Sequence, residues 1–94
     1  MPKAILIAHH KEVTDDGFVI ETVIWRLADP LHGCLHPFKY RLYLGTQTGA
    51  CIVRYDNEQG KGDHRHVGER EEEYNFTTIK ALLADFRRDV KEMV

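Results

Sequence analysis

Apolar and polar positions alternate along the first half of the chain, and this pattern predicts four β-strands. Phe18–Trp25 is dense in β-branched and aromatic residues, and Phe38–Leu44 places an apolar side chain at every second position. Lys3–His9 alternates weakly, and Ala50–Tyr55 brings the chain back as a fourth strand. The turn residues Asp15–Gly17 separate the first two strands and predict a β-hairpin, because Asp and Gly accept turn dihedrals.

The pattern changes to a helical period near the C-terminus. Six apolar residues recur there at helical spacing and form one stripe: Ile79, Leu82, Leu83, Phe86, Val90 and Met93. Thr77 or Thr78 stands before the stripe and can cap a helix by accepting a bond from a free backbone N–H. Because the connections between strands are short, neighbouring strands are expected to be antiparallel. The predicted fold class is α+β, an antiparallel sheet of four or more strands with one C-terminal helix packed on it.

Composition limits the size and the location of the protein. A chain of 94 residues suits a single domain, residues 1–94, and its 43% hydrophobic residues can bury a modest core. Lys and Arg number 13 against 15 Asp and Glu, so nucleic-acid binding would need a local basic patch. No stretch approaches the ~20 apolar residues that span a bilayer, and the apolar N-terminal run is too short for a signal peptide. We therefore expect a cytoplasmic protein without membrane contact, with Cys34 and Cys51 as free thiols.

Ionisable residues are most concentrated in the polar segment that follows the fourth strand. This segment runs from Tyr55 to His66, and with the neighbouring Arg54 its chemically interesting residues are Asp56, Gly60, Lys61, Gly62, Asp63, His64, Arg65 and His66. Ala28–Pro37 is predicted to be a loop because prolines interrupt it, and Glu69–Glu73 is predicted to be solvated because it is mostly acidic. We interpret the segment as a polar loop that a small sheet presents.

The spacing of His64 and His66 is compatible with metal binding. Two residues apart in an extended segment, both rings project to the same side, about 7 Å apart at Cβ. Zinc requires three or four ligands, and candidates for a third are Asp56, Asp63, His32 and His36. Nothing in the spacing demands any of them, so we expect neither a metal nor another cofactor.

The same pair is also suited to acid–base cleavage of RNA through its own 2′-hydroxyl. One histidine would remove the hydroxyl proton, the other would protonate the leaving oxygen, and Lys61 would stabilise the charged phosphorane. The candidate substrate-binding residues are Arg54, Asp56, Gly60, Gly62 and Arg65; the two glycines would let backbone N–H groups approach a phosphate. A third alternative is a solvated hairpin tip whose histidines have no chemical role.

Several segments together resemble a known protein family. They are Val23–Leu27, Phe38–Leu42, Arg54–Asn57, Gly60–His66, Glu71–Glu72, Tyr74–Phe76, Leu82–Leu83 and Asp85–Phe86. These segments resemble the TumE family of toxin–antitoxin proteins over nearly the whole chain. Gln59 stands where family members often place a histidine. The resemblance implies the toxin of a type II system, whose usual partner is a helix-turn-helix antitoxin.

Two classes of function follow from the residues and the resemblance. In the first, the protein is a metal-independent ribonuclease toxin that acts on RNA. In the second, it is a non-catalytic interaction or nucleic-acid-binding module that a helix-turn-helix antitoxin neutralises. The sequence leaves open which class applies and whether the chain forms a homodimer. We expect the antitoxin to contact the toxin at or near Gly60–His66, with a contact remote from that loop as the alternative.

Overall fold

Six strands follow one another along the chain, and each pairs with its neighbour in sequence. In the computed structural model, which describes residues 4–94, the elements are β1 (Ile5–Val13), β2 (Phe18–Arg26), β3 (Phe38–Thr46), β4 (Cys51–Glu58), β5 (Gly62–Val67), β6 (Arg70–Glu73) and α1 (Ile79–Met93). The strands form one sheet in the order β1 to β6, and every neighbouring pair is antiparallel. The predicted α+β class, an antiparallel sheet with one C-terminal helix, is confirmed.

The hairpin predicted between the first two strands is present. Gly17 adopts a left-handed φ of 88°, and the hydroxyl of Thr14 accepts a hydrogen bond of 3.0 Å from the backbone N–H of Phe18. The first strand continues to Val13, beyond the predicted end at His9, while Lys3 lies outside the described residues.

The largest difference from the sequence prediction concerns β5 and β6. The polar loop is shorter than predicted, because β5 begins at Gly62 and pairs with β4 as far as Val67. The acidic segment forms β6, whose residues are all exposed, as expected, but which is a paired edge strand. Both strands carry polar residues on both faces, so their sequence has no apolar period that would indicate a strand.

The core forms where α1 packs on one face of the sheet. Its buried hydrophobic residues are Ile24, Tyr40, Leu42, Leu44, Val53, Tyr55, Leu82 and Phe86. Leu82 and Phe86 belong to the predicted helical stripe, and Phe86 meets the ring of Tyr55 edge-on with centroids 6.1 Å apart. Thr78 caps the helix, since its hydroxyl accepts a 3.0 Å hydrogen bond from the N–H of Ala81. The predicted packing of the stripe on the sheet is thereby confirmed.

One buried carboxylate joins the helix to the sheet. Asp89 is 3% exposed and accepts hydrogen bonds from Tyr55 Oη at 2.6 Å and from Arg65 Nε at 2.9 Å. Arg65 also pairs with Glu72 of β6, so one network connects α1 with three strands. Burial, followed by the bond to Asp89, raises the pKa of Tyr55 above its ordinary value.

The two faces of the sheet have different surroundings. We call the side that α1 covers the helix face and the opposite side the open face. Because strand residues alternate, Val53 and Tyr55 of β4 point to the helix face, while Arg54 and Asp56 point to the open face. Among residues 4–94, no helix is long and apolar enough to cross a membrane.

Candidate functional site

The candidate site lies on the open face, where β4, β5 and β6 run side by side. Asp56 pairs with His64 and Arg54 pairs with His66, so these four side chains occupy adjacent positions on one face. His66 is also paired with Glu71 of β6. The strand geometry of β5 thus places both histidine rings on the same side of the sheet.

His64 has a neighbour at each of its ring nitrogens. Its Nε2 lies 2.7 Å from the carbonyl oxygen of Lys61, and because a carbonyl can only accept, Nε2 carries the hydrogen in this contact. Its Nδ1 lies 3.2 Å from Glu71 Oε1. That approach is not aligned for a hydrogen bond, so Nδ1 is shielded from solvent without a bonded partner. Access to Nδ1 therefore requires Glu71 to move.

His66 lies against a nearly buried carboxylate. Asp56 is 9% exposed, and its Oδ1 is 3.5 Å from His66 Nε2. Its Oδ2 is 3.0 Å from Arg54 Nε, again without hydrogen-bond alignment, so that N–H has no bonded acceptor. Asp56 therefore holds a histidine on one side and a guanidinium on the other.

Lys61 joins the same group through Glu71. Its Nζ lies 3.3 Å from Glu71 Oε1, and about half of the lysine side chain is exposed. The contact with Lys61 lowers the pKa of the Glu71 carboxyl, so this carboxylate is ionised next to both Lys61 and His64. We refer to Arg54, Asp56, Lys61, His64, His66 and Glu71 as the open-face cluster.

The glycines of the predicted phosphate nest contribute to the fold of the turn. Gly60 and Gly62 have left-handed φ values of 85° and 79°. The N–H of Gly60 donates a 2.6 Å hydrogen bond to the carbonyl of His32, which ties the turn to the loop between β2 and β3. Gly33 of that loop approaches so closely that a Cβ on it would lie 3.4 Å from the backbone of Gly60. That distance is an ordinary van der Waals contact, and it is the left-handed φ of 91° that accounts for glycine at Gly33.

Arg65, the remaining predicted substrate-binding residue, points to the helix face. Asp89 and Glu72 hold its guanidinium there. Hydrogen bonds from Arg65 to Asp89 and Glu72 raise its pKa despite the opposing effect of burial. The structure thus separates Arg65 from the histidines that flank it in sequence.

A second polar group lies on the helix face and was not found from the sequence. His36 Nε2 and the hydroxyl of Tyr40 both contact Asp63 Oδ2, at 2.8 and 2.6 Å. The N–H of Phe38 donates to His36 Nδ1 at 3.2 Å, so Nδ1 is an acceptor and Nε2 carries the hydrogen that goes to Asp63. Cys34 is buried beside them, and burial raises the pKa of its thiol. The signal that the sequence offers for this group is the spacing Cys34-x-His36, and Asp63 is too far away in sequence for a local pattern to connect it with them.

The geometry of this group bears on metal binding. Within residues 4–94, Cys34, His36 and Asp63 are the only three potential ligands whose atoms all lie within 4.8 Å of one another. A metal on His36 Nε2 would need a lone pair there, whereas the bond from Phe38 requires the lone pair on Nδ1. The observed hydrogen bonds place the ring hydrogen of His36 on Nε2, which is the nitrogen that would have to bind the metal. Of the predicted candidates for a third ligand to His64 and His66, His36 and Asp63 lie on the helix face, Asp56 shares the open face, and His32 belongs to the loop between β2 and β3.

A shallow depression on the open face adjoins the cluster. It has a volume of about 240 Å³ and is lined by Val23, Trp25, Lys39, Tyr40, Arg41, Asp56 and Glu58. Asp56 belongs both to this depression and to the pair with His66. Aromatic residues in strands are more often core residues, but Trp25 is half-buried on the open face. The depression therefore offers an aromatic ring next to the histidine pair. Its two cations are engaged, Lys39 with the carbonyl of Asn57 and Arg41 with Glu21.

The fold and the site define a small α+β domain with an ionisable cluster on an uncovered sheet face. A family model described as Toxin TumE matches residues 3–94. The chain therefore belongs to the TumE toxin family, as its sequence segments indicated, and it has the role of a toxin. Membership implies an antitoxin partner in general. No curated protein and no solved structure matches the chain.

Proposed function

We propose that this toxin is a metal-independent ribonuclease in which His64 and His66 perform acid–base chemistry and Lys61 stabilises phosphate. The observation that carries the proposal is the histidine pair on the open face, with a carboxylate beside each ring. Two imidazoles and a nearby ammonium are the groups that cleavage through the 2′-hydroxyl requires.

His66 is the proposed base. It takes the proton of a ribose 2′-hydroxyl, and Asp56, 3.5 Å from Nε2, stabilises the imidazolium that forms. The 2′-oxygen then attacks phosphorus, and the bond from phosphorus to the 5′-oxygen breaks as that oxygen takes a proton from His64. The products are a 2′,3′-cyclic phosphate and a free 5′-hydroxyl.

Lys61 and Glu71 have to separate for this reaction. Their contact involves two well-exposed side chains, and surface ion pairs of this kind are weak. A phosphate can therefore replace Glu71 beside Lys61, and the same displacement uncovers Nδ1 of His64. Substrate entry and uncovering of the acid are thus linked through one carboxylate.

The depression beside the cluster is the proposed base-binding site. A nucleobase of single-stranded RNA would stack on Trp25, and Lys39 and Arg41 would contact the backbone. Because Asp56 lines both the depression and the cluster, a base held there places its phosphate near His66. Arg54 supplies a further cation on β4, the strand that also carries Asp56.

Cleavage of a single-stranded RNA by purified protein in EDTA tests the mechanism. We expect His66→Ala and His64→Ala each to lower the rate by ~10²–10⁴-fold, whereas His9→Ala, on the open face of β1, leaves it unchanged. An RNA with deoxyribose at the cleaved position should resist. Full activity of either site variant, or loss of activity in EDTA, would contradict the proposal.

The second candidate function is a non-catalytic module that binds nucleic acid or another partner. It is favoured by the covered nitrogens of His64, neither of which is available to a substrate while Glu71 stays in place. Growth inhibition that survives both histidine substitutions would support this candidate. For either function we propose a helix-turn-helix antitoxin, to be tested by co-purification with the product of a neighbouring gene.

A further inference from the structure

The single helix leaves part of the helix face uncovered. Six strands spaced by ~4.8 Å make a sheet about 24 Å wide, whereas one helix covers about 10 Å. The strand that α1 contacts most is β4, which is three strands away from β1 in the sheet. Ile24 of β2 is fully buried, but the helix face of β1 and the part of β2 near Ile20 have room for a second helix beside α1.

A groove occupies this uncovered region. It has a volume of about 510 Å³, and its apolar walls come from Ala8 and Ile20 of the sheet and from Leu83, Phe86 and Val90 of α1. The apolar area in the groove continues the packed core outward. A partner that buries this apolar area gains hydrophobic stabilisation, which contact with the polar segment Gly60–His66 would not provide.

Charge gives the two rims of the groove different characters. Arg87 and Lys91 line the α1 side, and within residues 4–94 neither takes part in an ion pair with another side chain. On the opposite rim, His10 lies 3.5 Å from Glu12. A ligand that is apolar on one side and acidic toward α1 would complement the groove.

Within residues 4–94, no further strand pairs with the neighbouring edge of the sheet. β1 is an edge strand of nine residues, and its Ile5, Leu6 and Ile7 are 60%, 47% and 47% exposed. The opposite edge, β6, is four residues long and mostly acidic. Short charged strands discourage pairing and long apolar ones favour it, so β1 is the edge at which a partner gains contacts.

We propose that the groove between α1 and the β1–β2 hairpin binds an amphipathic helix of the antitoxin, with its acidic flank toward Arg87 and Lys91. This inference rests on the antitoxin partner that the toxin family implies. It places the contact on the helix face, away from the Gly60–His66 segment where the sequence suggested it. Antitoxin binding and the histidine chemistry are then separable by mutation.

Affinity for the purified product of the neighbouring gene, measured by calorimetry, tests the groove. Arg87→Glu combined with Lys91→Glu should weaken binding by at least ~10-fold, while Lys80→Glu on the same helix leaves it unchanged. Ala8→Trp, which fills the groove, should weaken binding similarly. Its matched control is His9→Trp, since the next residue along β1 points to the open face. Melting temperatures establish that each variant is folded.

Four results would overturn the proposal. The first is unchanged affinity in both groove variants, and the second is no binding by the wild-type toxin. The third is hydrogen-exchange protection in the complex that is confined to Gly60–His66. The fourth is a dimer of the toxin alone that Ala8→Trp disrupts and His9→Trp does not, because the occupant would then be a second copy. The His66→Ala variant should bind the antitoxin normally, so loss of ribonuclease activity and loss of antitoxin binding can be measured independently.

Discussion

The two faces of β5 use alternate residues of one strand in opposite ways. On the helix face, Asp63 accepts aligned hydrogen bonds from His36 and Tyr40, and Arg65 donates one to Asp89. On the open face, His64 and His66 lie near carboxylates at distances or angles that do not make good hydrogen bonds. Fully satisfied polar groups stabilise a fold, whereas incompletely satisfied ones keep capacity for a ligand. The comparison predicts that substitutions on the helix face affect stability and those on the open face affect activity.

The largest expected effect is on the helix face, at Asp89. Asp89→Ala leaves Arg65 and Tyr55 without their shared acceptor and should lower the free energy of unfolding by ~3–5 kcal/mol. Urea denaturation monitored by circular dichroism measures this change. Glu92→Ala, at an exposed position of the same helix, is the control and should change stability little. A loss at Asp89 no greater than that of the control would contradict the assignment of this network to stability.

A matched pair of aspartates compares the faces directly. Asp63→Ala removes the acceptor of two hydrogen bonds, and bonds to a charged group contribute ~1.5–3 kcal/mol each. Because Asp63 is only partly buried, the free energy of unfolding should fall by ~3–4 kcal/mol, the lower end of the sum for two such bonds. Asp56→Ala should lower it by less and, under the ribonuclease proposal, should abolish most RNA cleavage. The same denaturation experiment and the cleavage assay distinguish the two. Equal losses of stability with cleavage intact would refute the division between the faces.

Alkaline pH provides a smaller and graded effect on the helix face. Burial is the main cause that raises the pKa values of Tyr40, Tyr55, Tyr74 and the Cys34 thiol. The unfolded chain therefore loses these protons at lower pH than the folded chain, so stability is fully present below the ordinary pKa values and falls as pH rises above ~9–10. Urea midpoints measured from neutral to alkaline pH should decline over that window. Stability that rises there would contradict the direction.

The smallest expected effect on stability is at Glu71, on the open face. Glu71→Gln removes the carboxylate that Lys61 and His64 share, and because the site is exposed, unfolding should hardly change. Under the ribonuclease proposal, Lys61 is then available to phosphate, so the KM for RNA should fall by a few-fold. Steady-state cleavage kinetics measure this, with Glu69→Gln, in the exposed turn between β5 and β6, as the control. A raised KM would show that Glu71 assists substrate binding.

The sequence predicted the parts of this molecule in which one face is apolar. Phe38–Leu44 and the stripe at Leu82 and Phe86 alternate with a recognisable period, and both lie where that period requires. Gly62–Val67 has no such period, because the residues of this strand that point to the core, Asp63 and Arg65, are polar. Polar residues that are buried because they pair with one another give the same sequence pattern as solvated residues, so the pattern does not distinguish the two.

The sequence predicted that His64 and His66 share one face of the candidate site, but it did not predict all of their neighbours. His64 and His66 could be grouped from their spacing alone, whereas Glu71 reaches them only because β6 pairs with β5. The bond between His36 and Asp63 connects residues 27 positions apart, which no local pattern reveals. The strands that were not predicted are thus the ones that supply the missing neighbours.

The order of the strands has a consequence for the speed of folding. Since every strand pairs with its neighbour in sequence, each pairing closes a short segment of chain, and the longest connection between strands is the loop from Leu27 to Pro37. Loop closure is therefore inexpensive in entropy, and rapid folding for a sheet protein is expected. The docking of α1 on β4 brings together residues that are farther apart, such as Tyr55 and Asp89. The sheet can form hairpin by hairpin, and the docking of the helix is the non-local step that fixes Arg65 and, through β5, the position of the two histidines.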